Sequence, residues 1–251
     1  MIANIHPRTW PAAHFCVMAL LMANYAFGQI PDQFTNLQVL PKDIDKGALV
    51  QQMRGFAIAL GVRCQHCHIG EEGKPLDTFD FVSDAKPEKQ TARLMLRMVA
   101  AINAEHLANI ANRSADTKPV TCVTCHHGQN QPRQLEDVLH EAIATQGVEA
   151  GLAQYRELRK NYYGGFVFDF RERVLIELAQ QLQSENKLED AIAVLNLNAE
   201  FHPKSSATFH VLGEMYLKNN DGNLAMENFK KALDLDPDNQ MVQRRLEELS
   251  R

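Results

Sequence analysis

Two short segments of the chain carry residue types at a spacing that suits one particular chemistry. Residues 64–68 (CQHCH) and residues 122–126 (CVTCH) both have the pattern C-x-x-C-H. Two thiols three positions apart can each form a thioether bond to a porphyrin, and the histidine that follows can bind the iron. The first and second attachment segments therefore predict two covalently bound haem c groups. The predicted attachment residues are Cys64, Cys67, Cys122 and Cys125, and the predicted proximal iron ligands are His68 and His126.

Two other uses of paired cysteines fit the sequence less well. A redox dithiol is expected beside a βαβ pattern, and no such pattern is visible here. A zinc site of four thiolates usually has its cysteine pairs about 15–20 residues apart. More than fifty residues separate Cys67 from Cys122. Neither alternative explains the histidine that directly follows each pair.

Each attachment segment follows a stretch with helical periodicity. The first predicted helix runs from an N-cap at Asp43 to about Leu60 and ends at Gly61. The second is predicted over about residues 87–112, with a proline in its first turn. The pattern predicts an all-α unit of helix, turn and C-x-x-C-H that is used twice within residues 30–134.

Methionines on these two helices are candidates for the second axial iron ligand. Aligning the two copies by their apolar spacing places Met53 opposite Met95, and a thioether sulfur is a known ligand of c-type haem iron. From spacing alone, these methionines fit equally well as gap-fillers in an apolar core. Met98 lies one turn from Met95, and His106 is predicted to share the helix face of Met95. Either is therefore an alternative ligand at the second haem.

The first 28 residues are predicted to be a secretory signal peptide. Residues 1–10 carry one arginine and no acidic residue, residues 12–22 are almost wholly apolar, and residues 26–28 (AFG) form a small-x-small cleavage site. The apolar run is shorter than the about 20 residues that a membrane anchor needs, and an uncleaved anchor is the alternative. We expect a periplasmic protein without Cys16, with membrane association as the alternative.

Composition and charge argue against one class of partner. The 251 residues are 45% hydrophobic and 23% charged, with a formal net charge of −5. These values are ordinary for a globular protein of one or two domains. There is no basic excess to favour a nucleic acid.

The remainder of the chain is predicted to be helical and partly repetitive. Residues 135–170 are expected to form a linker of two amphipathic helices broken at Gly147. Residues 171–251 carry a 34-residue repeat with the apolar order typical of tetratricopeptide (TPR) repeats, followed by a capping helix at 239–249. The matched residues are Leu178 and Leu212, Ala179 and Gly213, Leu182 and Tyr216, Ala191 and Ala225, Leu195 and Phe229, and Pro203 and Pro237. The first copy is degenerate, with Asn198 where a small residue is expected.

TPR arrays usually present a concave face to a peptide or a protein. This half is therefore a candidate docking module, and a packing scaffold without a client fits the sequence equally well. No catalytic constellation is visible in it.

The attachment segments and the helices before them resemble a known family, the multihaem cytochrome c subunit of photosynthetic reaction centres. The similar stretches are residues 60–68, 70–73, 92–98, 102–104 and 120–129. The similarity covers about residues 34–133. In that family the helix before each haem usually gives a methionine to the iron, so the resemblance supports Met53 and Met95.

The chain also departs from that family. Its photosynthetic members carry four haems, whereas this sequence has two attachment segments. The four-haem proteins use a histidine ligand downstream of the second-helix methionine, and the best-matching position here is Asn109. Two-haem relatives also occur in non-photosynthetic bacteria, so the resemblance does not imply photosynthesis.

Taken together, these features predict an exported dihaem cytochrome that passes electrons between periplasmic or membrane redox proteins and docks through its TPR region. Two six-coordinate irons leave no open position for a substrate, which favours an electron carrier over an enzyme. A dihaem peroxidase-like enzyme is one alternative and requires an open iron. A haem-based redox-sensing scaffold is another, and it predicts partner binding that changes with the oxidation state.

Overall fold

The computed structural model describes residues 30–114 and 116–250. The predicted signal peptide lies outside these residues. Within them the chain forms helices and turns, and the one β-bridge found there joins Ile69 to Asp80. The predicted all-α fold is confirmed. No helix in this described part is long and apolar enough to cross a bilayer.

Three α-helices belong to the N-terminal half, residues 30–134. They are α1 (Lys46–Leu60), α2 (Pro87–Ala101) and α3 (Cys122–His126). The predicted N-cap of α1 at Asp43 is wrong, because residues 41–44 form a turn in which Ile44 N–H donates to the Pro41 carbonyl. The N-cap is Asp45, whose carboxylate accepts from Ala48 N–H at 2.9 Å.

The second helix ends earlier than the periodicity predicts. The α-helix stops at Ala101 and continues as a π-helical turn over Ile102–His106 and a 3-10 turn over Leu107–Asn109. A π turn is wider than an α turn and shifts the register of every later side chain. The prediction that Met95 and His106 share a helix face assumes an uninterrupted α-helix between them. The π turn interrupts that helix, so the prediction loses its basis.

The C-terminal half, residues 135–250, is a stack of helical hairpins with the predicted period. Its helices are α4 (Leu135–Gln146), α5 (Val148–Tyr162), α6 (Glu172–Ser184), α7 (Leu188–Phe201), α8 (Ser206–Lys218), α9 (Gly222–Leu235) and α10 (Gln240–Leu249). The pair α4/α5 packs on the hairpin α6/α7, which packs on α8/α9, and α10 caps the end. Asn186 and Asn220, 34 residues apart, both take a left-handed conformation in the hairpin turns. The break at Gly147 and the capping helix were both predicted.

The residue that made the first repeat look degenerate has a structural role. Asn198 is fully buried, and its amide nitrogen donates to the Glu172 carbonyl and to Thr208 Oγ1, each at 2.9 Å. These bonds tie α7 to the start of α6 and to α8. Each such hydrogen bond is worth about 1 kcal/mol, and a small apolar residue could not make them.

The two halves differ in how much apolar surface they bury. A continuous core runs through all the hairpins of the C-terminal half. In the described part of the N-terminal half, the buried apolar side chains are only Leu49, Ala59 and Phe79. Large apolar side chains stay exposed on all three of its helices, among them Ile58, Met98 and Val123. Such a surface is typical of a binding face, so this half is built to pack against something other than its own side chains.

A crossing of two glycines brings the attachment segments together. Gly61 ends α1 in the left-handed conformation (φ 64°), and Gly128 N–H donates to the Ala59 carbonyl at 2.9 Å. A Cβ atom built on Gly61 would lie 1.9 Å from the Gly128 carbonyl oxygen. The backbones can approach this closely only where position 61 has no side chain.

Gly61→Ala is therefore expected to lower the free energy of unfolding by about 2–4 kcal/mol, through left-handed strain and the clash with Gly128. Gly55→Ala is the matched control, since Gly55 lies inside α1 and a Cβ there meets no atom within 4 Å. That variant should gain up to about 1 kcal/mol from helix propensity. Urea unfolding followed by circular dichroism measures both. If Gly61→Ala and Gly55→Ala changed the free energy of unfolding equally, the glycine crossing would not have the stabilising role given to it.

Candidate haem-binding sites

The first attachment segment folds as one tight turn. Residues Cys64–His66 form a 3-10 turn, and the N–H groups of Cys67 and His68 both donate to the Cys64 carbonyl, at 3.3 and 3.0 Å. The thiols of Cys64 and Cys67 are free, and Cys67 is half-buried. Burial raises the pKa of the Cys67 thiol. The turn therefore carries both thiols and the histidine on one short stretch, as the motif predicts.

The imidazole of His68 is held in a neutral form suited to iron. Its ring packs edge-on against Phe81, with 5.0 Å between the ring centroids. Its Nδ1 atom is buried and has no hydrogen-bond partner. Burial, followed by the cation of Lys89, lowers the pKa of His68 to about 4. The ring is therefore uncharged at neutral pH, which is the state that can coordinate a metal.

Two lysines at the start of α2 hold the loop and the turn next to His68. The Lys89 ammonium is almost fully buried and donates to the carbonyls of Phe81, Val82 and Ser83 at 2.7–3.1 Å. One turn before it, the Lys86 ammonium donates to the Gln65 carbonyl inside the first attachment segment. The sequence reasoning considered only the apolar stripe of this helix and missed both lysines. The only indication of their role in the sequence is that two lysines stand at the start of a predicted helix close to a cysteine motif.

Asp84 is the shared acceptor of this polar cluster. Its carboxylate accepts from Arg93 at 2.9 Å and lies 3.2 Å from the Lys89 ammonium. It also accepts from the amides of Asn36 and Gln38, at 2.9 and 3.2 Å, so it ties the start of the described chain to α2. The hydrogen bond from Arg93 is the main reason why the pKa of Asp84 lies well below its usual range.

Asp84→Asn is expected to lower the urea midpoint at pH 7, because buried Lys89 and Arg93 lose their carboxylate partner. The pKa of Asp84 is lower in the folded chain than in the unfolded chain, so the ionised carboxylate stabilises the fold. This stabilisation is complete above the unfolded pKa of about 4 and is lost as the pH falls towards the folded pKa. The difference in urea midpoint between the variant and the wild type should therefore become smaller as the pH is lowered below about 4.

Asp77→Asn, an exposed carboxylate in the same loop region, is the control and should change the midpoint little at any pH. A gap for Asp84→Asn that stays constant from neutral to acid pH would contradict this role.

The second attachment segment is the single helical turn α3. Thr121 caps it, with its N–H donating to Thr124 Oγ1 at 3.0 Å, and His127 and Gly128 end it in left-handed conformations. His126 Nδ1 lies 2.8 Å from the Gln129 carbonyl, to which its N–H donates. This bond fixes the ring orientation and leaves Nε2 free for iron.

Asn103 holds the chain that leads into the second attachment segment. Its amide oxygen accepts from Val120 N–H at 2.8 Å, and its amide nitrogen donates to the carbonyls of Val120 and Val99 at 2.8 and 2.9 Å. A side-chain amide inside a helix competes for backbone partners, which fits its place in the π turn. Sequence reasoning did not give Asn103 a role, although it interrupts an apolar stripe.

A cavity of about 420 Å³ adjoins the second attachment segment. It lies between α3 and the start of the C-terminal half. Its lining includes Cys125, His126, His127, Arg133, Asp137 and Val167.

The candidate axial ligands lie on the helices where they were predicted. Met53 is half-buried on α1, while Met95 and Met98 are 36% and 47% exposed on α2. His106 is exposed in the π turn. Asn109, the position that matches the family's extra histidine, donates its amide to the Glu105 carbonyl. The choice among Met53, Met95, Met98 and His106 stays a prediction.

The residues present at both segments fit a covalently bound haem. The four thiols are free, and the described residues contain no cluster of three or more His, Cys, Asp or Glu side chains that could hold a metal ion. The thiols are therefore not gathered into a tetrathiolate zinc site. The unpartnered Nδ1 of His68 and the exposed apolar side chains around both segments also suit a large apolar group with a central metal.

Comparisons with known proteins agree with this chemistry. The family model described as photosynthetic reaction centre cytochrome C subunit matches residues 19–191. Cytochrome c-554 of Chloroflexus aurantiacus is 42% identical over 78 residues, which make up 31% of this chain and 16% of that protein. This chain therefore spans only a small part of that relative's length.

One solved structure is similar in part to the described fold. It is the first TPR domain of Spaghetti (RPAP3) bound to an HSP90 peptide, at 13% identity and a TM-score of 0.33, covering 46% of this chain and 87% of that one. A TM-score this low does not by itself establish a shared fold.

The helical fold and the two C-x-x-C-H segments define a protein of the c-type cytochrome class. The family match covers more than half of the chain, so the chain belongs to the photosynthetic reaction centre cytochrome c subunit family. Membership implies covalently bound haem c and an electron-transfer role. The residues matched by the family model extend beyond the resemblance noted over about residues 34–133. They include α4 and α5 and reach into the first repeat.

Asn103→Ala is expected to lower the free energy of unfolding by about 1–3 kcal/mol, because Val120 loses both of its bonds to the side chain. It should also lower haem attachment at the second segment more than at the first. Asn109→Ala is the control, since that amide bonds only within its own turn. Urea unfolding measures the first effect, and the haem carried by the peptide of each attachment segment measures the second. Equal losses in the two variants would contradict the proposed role.

Proposed function

We propose that this chain is an exported dihaem cytochrome that carries electrons between redox proteins. The observation that carries the proposal is the glycine crossing, which places two complete attachment segments side by side. Haem c bound at each segment would supply a one-electron redox centre. Cys64, Cys67, Cys122 and Cys125 would hold the two groups. His68 and His126 would be their proximal ligands.

The crossing limits how far apart the two sites can be. Three positions separate Gly61 from Cys64, and three separate Cys125 from Gly128. An extended chain spans at most about 3.6 Å per residue, so Cys64 and Cys125 each lie within about 11 Å of the crossing. Two redox centres tethered in this way are neighbours, which suits passage of electrons through the protein.

The axial ligands decide between a carrier and an enzyme. We propose Met53 and Met95 as the distal ligands, because each lies on the helix that precedes its attachment segment. Met98 and His106 stay alternatives at the second site. A dihaem peroxidase-like enzyme is the second candidate function, and it requires one iron without a distal ligand. A redox-sensing scaffold is the third.

The C-terminal half is proposed to dock a protein partner. Its hairpin stack has the 34-residue period of TPR repeats, which commonly bind peptides or proteins on the concave face. Periplasmic export is proposed from the sequence of residues 1–28.

Optical spectra of the full, haem-loaded chain test the carrier function. Methionine bound to oxidised haem gives a weak charge-transfer band at the far-red end of the spectrum. The band should lose about half of its intensity in Met53→Leu and half in Met95→Leu, while the control Met98→Leu should leave it unchanged. A high-spin iron in the wild-type protein that binds cyanide readily would instead favour the enzyme.

A further inference from the structure

We propose that the chain holds the haem site at His68 at a higher reduction potential than the site at His126. This ordering rests on the proposed function, in which each segment binds haem c. One electron shared between the sites would then reside at the first site. The second site is oxidised as the first is reduced, and the transfer needs no proton.

The physical basis is the charge of the oxidised iron, which is one unit more positive than the reduced iron. Surroundings that disfavour positive charge therefore raise the potential, and surroundings that stabilise it lower the potential. Fixed charge and hydrogen bonding to the proximal imidazole are two separate influences of this kind. In this chain both differ between the two sites.

The first difference is fixed positive charge near His68. Lys89 is almost fully buried and bonds the carbonyl of Phe81, the residue that packs against the His68 ring. Lys86 bonds the Gln65 carbonyl within the first attachment segment. Burial keeps the charge of Lys89 poorly screened by solvent.

Three carboxylates lie near Lys86, Lys89 and Arg93: Asp80 acts on His68, Glu88 acts on Cys67, and Asp84 pairs with Arg93 and Lys89. The Asp84 side chain is 35% exposed and that of Lys89 is 10% exposed, so solvent screens the carboxylate more than the ammonium. At the second segment the cavity lining holds one cation, Arg133, whose guanidinium pairs with Glu141 at 2.6 Å.

The second difference is the bond to the proximal imidazole. His126 donates its Nδ1 hydrogen to the Gln129 carbonyl at 2.8 Å, while His68 Nδ1 is buried and unpartnered. An imidazole that donates a hydrogen bond becomes a more basic ligand. A more basic ligand stabilises the oxidised iron, so this bond lowers the potential of the second site alone.

The ordering gives the protein a direction. Electrons would enter at the second site, which adjoins the start of α4, and leave from the first site.

A redox titration of the haem-loaded full chain, followed by its optical spectrum, tests the ordering. The wild-type protein should show two resolved transitions. Lys89→Met should move only the higher transition, and move it to lower potential, because removal of one buried cation from the first site stabilises the oxidised iron. The equilibrium constant for sharing an electron between the sites should fall by about fivefold, the effect of a partly screened unit charge.

Lys86→Met is the second variant and should act in the same direction, which keeps the test decisive if the buried Lys89 is needed for folding. Lys218→Met is the matched control, because that ammonium bonds Gln183 in the hairpin stack. A shift of the lower transition, a shift of neither, or a single unresolved transition would overturn the ordering. Haem content is measured on the same samples, and fewer than two haems per chain would overturn the proposed function itself.

Discussion

The close approach of Gly61 and Gly128 is the contact on which the arrangement of the N-terminal half depends. It joins the end of the helix before one attachment segment to the turn after the other, with Gly128 N–H bonded to the Ala59 carbonyl. A side chain at position 61 would separate the two segments. The spacing of the two attachment segments is therefore set by backbone contact, which varies less than the packing of flexible side chains.

That contact matters because the N-terminal half has little core of its own. The C-terminal half is stabilised in the ordinary way, by apolar faces of helices that pack against each other. In the described N-terminal half, polar ties replace that core: Asp84 joins Asn36, Lys89 and Arg93, and Asn103 joins α2 to Val120. Two bound haems would supply the missing apolar volume, so cofactor attachment and folding should be coupled in this half.

The two halves also show which features a sequence can reveal. Local patterns predicted the attachment segments, the helices around them, the break at Gly147 and the 34-residue repeat, because each depends on residues close together in the chain. The N-cap at Asp43 and the end of the second helix near residue 112 were wrong. Competing local turns decided both, and helical periodicity does not report such turns.

The hydrogen-bond partners of Asn103 and Lys89 could not be predicted from the sequence, because these residues meet their partners only in the folded chain. Asn198 is the clearest case, since it looked like a defect in the repeat and proved to be a buried hydrogen-bonded link between helices.

Both attachment segments are proposed to bind haem covalently. The mass of the intact chain, made in cells that attach haem c and followed by peptide mapping, tests it directly. We expect two haem masses, one on the peptide of Cys64 and Cys67 and one on the peptide of Cys122 and Cys125. A single haem, or thiols that remain free on either peptide, would contradict it.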